Sequence, residues 1–326
     1  MIALAGSGWC LGDPVPVDGL PEWAGLGDAE RSVCAALGIE SVAVAESSSA
    51  TDLAAVAARR ALAAASVPVD QVDVVITVEA RAPEALISSD ATRLQAALGA
   101  RRAVAFSVGG LGCASLTPAL LTAAGLLRDP GVRTVLVAHG SKPATPRRYR
   151  HPVTVNGDSG GALVLTRTGD VRIRDVLLET NGDYADLFRV LYRDRPFAEW
   201  QEECTDPMAY SFRLAVETRN RLRDLTARLL DRNGLTPADV TCYVAQNLSA
   251  PSHRNYAEVL GAPLAASCGA NLTRYAHLGP NDTFHNLHTA AVPAGSRVVL
   301  LDTSPTAAWS AVLVEVGVGD DGTHLL

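Results

Sequence analysis

Residues 103–127 pass from a β-rich run, Ala103-Val104-Ala105-Phe106-Ser107-Val108, through Gly109-Gly110-Leu111-Gly112 to Cys113, then into an apolar segment ending near Leu127. A strand handed to a helix through three glycines in four residues leaves few architectures open. Glycine permits the sharp turn, and the residue at its apex stands at the helix N-terminus. A thiol there feels the helix dipole and unpaired amides, which stabilise its thiolate. The same amides can hold an oxyanion when the thiolate attacks a carbonyl. The usual fate of a lone cysteine is burial as a small hydrophobe, and Cys10, Cys34, Cys204, Cys242 and Cys268 are read that way. The glycine turn reverses the reading for Cys113.

Around this corner, short β runs alternate with helical periodicity. Residues 50–66 carry Ala and Leu at helical spacing behind a Ser or Thr N-cap. Strands are predicted at 72–78, 103–108, 134–138 and 161–165, with helices at 88–98 and from Cys113 to about Leu127 and a polar, Arg-rich loop over 141–152. The second part repeats the grammar. A strand at 171–179 precedes a loop or helical insertion (183–212) and a helix at 213–233. A strand at 241–245, a helix at 252–260, a polar loop at 270–282 and a helix at 283–292 follow. Hairpin strands at 297–302 and 309–316 close the fold, and the last eight or so residues read as a frayed tail. The pattern gives an α/β fold of two stacked similar halves, 1–166 and 167–326.

Composition narrows the function. Hydrophobic residues make up 48% and charged residues 19%, the profile of a packed soluble enzyme rather than a disordered chain. A formal charge of −7 argues against nucleic acid, which needs surplus Lys and Arg. No Cys-x-x-Cys pair suggests zinc. No window reaches the length of a membrane span, and the run from Met1 lacks the basic and apolar regions of a signal peptide. The expectation is a cytoplasmic enzyme without metal or cofactor.

Val108-Gly109-Gly110-Leu111-Gly112-Cys113-Ala114-Ser115 resembles the nucleophile segment of the ketoacyl synthase III group of the thiolase superfamily. Asn156-Gly157-Asp158-Ser159-Gly160-Gly161-Ala162 is similar to that group's Gly-Asp-Gly-Ala-Gly-Ala segment. The likeness continues at Gly295-Ser296-Arg297 to Leu301 and at Trp309. It implies a five-layered αβαβα sandwich, a homodimer, and an acyl group carried as a thioester on Cys113. Fold is implied more firmly than reaction.

Condensing enzymes of the group use Cys, His and Asn, the last two stabilising the enolate left by decarboxylation. Here the Pro-His-Gln-Ala-Asn stretch reads Ala245-Gln246-Asn247-Leu248-Ser249, so Gln246 takes the His position. The Tyr-Gly-Asn-Thr segment reads Tyr275-Ala276-His277-Leu278, so His277 takes the Asn position. Decarboxylative condensation is therefore disfavoured. In His277-Leu278-Gly279-Pro280-Asn281-Asp282 the Gly-Pro turn lets Asp282 fold back on the imidazole. A Cys-His-Asp set results, in which His277 deprotonates an acceptor hydroxyl or amine. Simple N-capping of the next helix is the alternative role for Asp282. This pattern resembles the acyltransferase branch of the group, which acylates natural-product sugars, aminocyclitols or amines, and a salicylyl-type acyl group follows by analogy.

The glycine whose N–H completes the group's oxyanion hole aligns with Pro305, which has no N–H, so Ser304 or Thr306 is the candidate donor. The Trp and Arg pair with which the group's synthases grip coenzyme A is not matched in Glu30–Ile39, which leaves an acyl carrier protein or coenzyme A as donor. Arg147, Arg148, Arg150 and Arg254 are candidates for steering an acidic carrier, or else an ordinary solvated set. His285 and His288, three apart, lack further ligands for a metal. His253 is placed near the entrance, and His139 and His151 at strand ends or loops. Two other functions stay open: a decarboxylating synthase that forms a carbon–carbon bond, and a catalytically silent scaffold subunit.

Overall fold

Along each long strand, alternate side chains enter different cores. Val74, Ile76, Val135, Val137, Val298 and Leu300 share one buried cluster, while Val75, Leu136, Val299 and Leu301 face the other way. Sheets buried on both faces need helices on both, and the chain supplies them. The structure, a computed structural model, describes residues 2–317, so the tail beyond them lies outside the described residues.

In chain order the elements begin with β1 (Ile2–Leu11), β2 (Asp13–Pro16), α1 (Asp28–Ala36), β3 (Ser41–Val44) and α2 (Ala50–Ala64). Next come β4 (Val74–Val78), α3 (Asp90–Leu98), β5 (Val104–Val108), α4 (Leu116–Leu126) and β6 (Val135–Ser141). The short β7 (Tyr149–Arg150) and β8 (Thr154–Val155) precede β9 (Ser159–Thr166) and β10 (Val171–Thr180). Then follow β11 (Phe188–Arg189), β12 (Glu203–Cys204), α5 (Ala215–Arg232), β13 (Cys242–Ala245) and α6 (Ala250–Leu260). The last elements are α7 (Ala266–Tyr275), α8 (Asp282–Thr289), β14 (Arg297–Ser304) and β15 (Ala308–Val316).

Nine strands join in the order β13-β14-β15-β10-β1-β9-β6-β4-β5. Outward from the β1–β10 seam the two arms read alike: β1-β9-β6-β4 on one side and β10-β15-β14-β13 on the other. In each arm the first two pairings are antiparallel and the third is parallel. Leu264 bridges Tyr243 in parallel, at the position that β5 takes beside β4. The cores assign the layers: α2 with α3, one arm, α4 with α8, the other arm, then α5 with α6. That is the αβαβα sandwich of the thiolase fold.

Local rules account for the helix starts. Ser49 Oγ accepts from Asp52 N at 3.0 Å while Asp52 Oδ2 accepts from Ser49 N at 3.0 Å, a reciprocal cap worth about 0.5–2 kcal/mol. Two expectations are corrected. Residues 270–282 are no continuous polar loop, because α7 runs to Tyr275. Its polar residues are buried against α8: Ser267 Oγ donates to Asn286 O, and Asn271 Nδ2 donates to Asn286 Oδ1, both at 2.8 Å. Polarity that reads as a loop is there an interhelical network. The helix predicted at 283–292 spans Asp282–Thr289. The segment between β1 and α2, left unassigned by pattern, forms β2, α1 and β3, which enclose a separate small core with Leu272 and Tyr149.

Candidate active site

Cys113 sits in a short 3-10 turn, Gly112–Ala114, that leads from β5 into α4. Gly112 suits this turn in two ways. Its φ of +53° belongs to the left-handed region, and a Cβ there would fall 2.6 Å from Ser304 Oγ. The loop after β14 therefore lies directly against the thiol-bearing turn, and the Cys113 side chain is buried.

His277 lies in the connection between α7 and α8. Its N–H donates to Val155 O at 3.0 Å and its carbonyl accepts from Gly157 N at 2.9 Å. These bonds strap its backbone to the 155–157 segment, with Asn156 and His277 forming a parallel bridge. The imidazole Nε2 then lies 3.0 Å from Cys113 Sγ, and Nδ1 lies 2.6 Å from Asp282 Oδ2. The Gly279–Asn281 turn delivers Asp282 to this point as the first residue of α8. Asp282 is held from three sides: Oδ1 accepts from Leu278 N at 2.8 Å, and Oδ2 accepts from Asn247 N at 2.8 Å besides facing the imidazole. A carboxylate fixed in this way orients the ring and stabilises its cation.

Burial alone would raise the Cys113 thiol. The charge and hydrogen bond of His277, with the guanidinium groups of Arg81 and Arg150, outweigh it and bring the thiol down to about 7. Burial would likewise lower His277, but the Cys113 thiolate and Asp282 lift it to about 9. These shifts favour a thiolate facing an imidazolium, which is a nucleophile with a proton donor beside it.

Gln246 is buried, and both ends of its amide are occupied by Thr303: Nε2 donates to Oγ1 at 3.0 Å and Oε1 accepts from the backbone N–H at 2.8 Å. Ser304 Oγ and Thr306 Oγ1 lie 2.8 Å apart, and Thr306 N donates to Ser304 Oγ at 3.3 Å. Arg148 is committed elsewhere, as a bidentate partner of the buried Asp158 at 2.7 and 2.9 Å. Arg150 pairs with Glu202 and lies over the Phe188 ring. Arg147 and Arg254 are exposed. His285 and His288 pack their rings around Trp9 at 5.2 and 6.0 Å. Among the described residues no three His, Cys, Asp or Glu side chains gather to hold a metal ion. His253 Nε2 donates to Gln246 O at 2.9 Å, and His151 Nδ1 lies 3.0 Å from Tyr149 Oη. His139, expected at a strand end or in a loop, is a buried residue inside β6.

Sequence reasoning missed Arg81. It lies after β4 in a stretch with no recognisable motif, and only the fold brings its head group near the thiol. Burial lowers it, opposed chiefly by the Cys113 thiolate. Asp302 was missed as well: burial and the charge of Asp282 push its carboxyl up to about 8, with a bond from Thr283 Oγ1 at 3.3 Å.

No family model matches the chain. It is similar to a beta-ketoacyl-[acyl-carrier-protein] synthase III of Cereibacter sphaeroides, 35% identical over 205 residues, which are 60% of this chain and 61% of that protein. A synthase of the same name from Ruegeria pomeroyi is 30% identical over 232 residues, 68% of each chain. The chain thus aligns with about three fifths to two thirds of the length of these relatives. Among solved structures, the acyltransferase ChlB3 superposes with a TM-score of 0.81 at 22% identity, covering 97% of both chains. No helix among the described residues is long and apolar enough to cross a membrane.

Proposed function

The chain belongs to the ketoacyl synthase III family of the thiolase superfamily, and from that premise we propose that it is a non-decarboxylating acyltransferase. It takes an acyl group from a carrier-protein or coenzyme A thioester onto Cys113 and passes it to a hydroxyl or amine of a small acceptor. The observation that carries this reading is the Cys113–His277–Asp282 line, at 3.0 and 2.6 Å.

The chemistry closes on itself. The Cys113 thiolate attacks the donor carbonyl, the bond from acyl carbon to Sγ forms, and the donor carbon–sulfur bond breaks. The departing thiolate takes the proton from His277 Nε2. Acylation removes the anion that held His277 protonated, so its pKa falls and the neutral ring becomes a base. It then accepts the acceptor's proton as the acceptor oxygen or nitrogen attacks, and expulsion of Sγ restores the ion pair. Asp282 Oδ2 stays beside Nδ1 throughout and fixes the ring.

The names of the relatives favour a second reading, carbon–carbon condensation after decarboxylation. Gln246 weighs against it. Its Oε1 and one of its two N–H groups are held by Thr303, and the amide carries no titratable proton, so it offers an enolate at most one neutral donor where the family's condensing enzymes have an imidazole. The same proposal includes a homodimer, because β5 is the free edge of the sheet and Val104 on it is 64% exposed. Arg147 and Arg254, the exposed candidates, suit an acidic carrier protein.

The test uses purified protein and a radiolabelled acyl-carrier thioester. Label should stay on wild type and not on Cys113→Ala. His277→Ala should load slowly and fail to release label to an acceptor. Carbon dioxide release from a malonyl co-substrate would overturn the transferase reading, and absence of label on wild type would favour a scaffold.

A further inference from the structure

Three buried polar atoms near the thiol have no hydrogen-bond partner: Arg81 Nη2, His139 Nε2 and Ser141 Oγ. They come from the loop after β4 and from β6, and they converge on Gly279. From the point that a Cβ on Gly279 would occupy, they lie at 3.2, 3.6 and 3.1 Å respectively. Gly279 opens the turn between His277 and Asp282, and that turn packs on the Gly112–Ala114 turn bearing Cys113. The cluster therefore adjoins the reacting centre without belonging to the Cys113–His277–Asp282 line. Buried polar groups in native proteins are almost always paired, so three together call for a partner of defined chemistry.

The hydrogen-bonding pattern selects that partner. His139 Nδ1 lies 3.0 Å from Val78 O. A carbonyl only accepts, so Nδ1 carries the proton and Nε2 presents a lone pair. Burial, with the charges of Arg81 and His277, holds His139 at about 4, so the ring is neutral at pH 7. Arg81 Nη2 can only donate, and Ser141 Oγ can do either. A carboxylate or carbonyl would leave Nε2 without a proton to accept. An ammonium group would leave Arg81 without an acceptor. A hydroxyl satisfies both, donating to His139 and accepting from Arg81.

We propose that Arg81, His139 and Ser141 form a subsite for a hydroxyl on the acyl group carried by Cys113, so that the donor is a hydroxyacyl thioester. The assignment rests on the acyl-Cys113 reading above. The acyl group, rather than the acceptor, is the occupant because it stays anchored at Sγ through both half-reactions, whereas an acceptor must enter and leave. Acylation also takes away the thiolate, the foremost anion supporting the Arg81 charge, and a hydroxyl oxygen at Nη2 compensates in part.

The experiment measures acylation of the full chain at Cys113 by intact-protein mass spectrometry. The probes are matched coenzyme A thioesters: butyryl against 3-hydroxybutyryl, and benzoyl against its 2-, 3- and 4-hydroxy forms. Sites built to bind a hydroxyl strongly reject analogues that lack it, so at least one hydroxylated member should load about 100-fold faster than its partner. Ser141→Ala and Arg81→Met should each narrow that ratio by about tenfold or more. The ratio is independent of any change in thiol reactivity common to both members. Equal rates within every pair, or a ratio that neither variant moves, would overturn the subsite and leave water as the partner of these atoms. If none of these acyl groups, presented on coenzyme A or on an acyl carrier protein, acylates Cys113, the acyl-enzyme reading falls and the subsite falls with it.

Discussion

Asp282 grips His277 with one oxygen and the backbone of Leu278 with the other, at 2.6 and 2.8 Å. Ring and carboxylate thus share one rigid turn, and the tautomer of His277 is set by five residues of chain. Asp282→Asn keeps the shape but offers an N–H to Nδ1, which forces the ring proton onto Nε2. The base then has no free lone pair toward the acceptor. Acyl transfer should fall by about 10²–10⁴, measured as single-turnover decay of a preformed acyl-enzyme. Unchanged decay would remove Asp282 from the mechanism.

Thiol reactivity offers a second check. The Cys113 pKa is lowered to about 7, so alkylation by iodoacetamide should rise with pH around a midpoint near 7. In His277→Ala the largest lowering influence is gone and burial prevails. The midpoint should then move above that of an ordinary thiol, about 8.5. A midpoint that stays near 7 would assign the lowering to Arg81 and Arg150 instead.

Asp302 makes stability depend on pH with a definite sign. Its folded pKa of about 8 lies above the value of 3.8 for a free side chain. As pH rises through 4 the unfolded chain releases this proton and the folded one keeps it, so stability is lost between about pH 4 and 8. The loss from this group is at most roughly 1.4 kcal/mol per pH unit. Asp302→Asn should flatten the urea-derived stability profile across that window and exceed wild type at pH 8. Parallel profiles for the two proteins would contradict a protonated Asp302.

Asp158 is fully buried and holds Arg148 in a bidentate pair, with Lys142 Nζ at 3.5 Å and Ala45 N at 2.8 Å. Removing the carboxylate leaves two cations without their counter-charge. Asp158→Ala should cost about 3–5 kcal/mol, read by thermal or denaturant unfolding. A loss below 1 kcal/mol would mean that the cations reach water.

The sequence made the α/β class, most strands and the apex thiol legible because each depends on local chemistry: alternation, capping and glycine turns. His277 was legible through its neighbours in the chain, and Asp282 through the Gly-Pro turn between them. Arg81, His139 and Asp302 were not. Each lies in a stretch whose local pattern is unremarkable, and each gains significance only from what packs against it across the sheet. The same limit explains Arg148, whose exposed-looking Arg-rich loop conceals a partner ten residues away. It explains α7 too, since a polar helix buried against another helix carries no apolar stripe to betray it.

The strap between His277 and the 155–157 segment has one more consequence. Thiol and imidazole stand 164 residues apart in the chain, and the hydrogen bonds that strap His277 to the 155–157 segment hold the ring for its 3.0 Å approach. Nucleophilicity at Cys113 is thus a late-arriving property of the chain. During synthesis the thiol emerges long before His277, and its pKa lacks the largest lowering influence until the His277 segment docks.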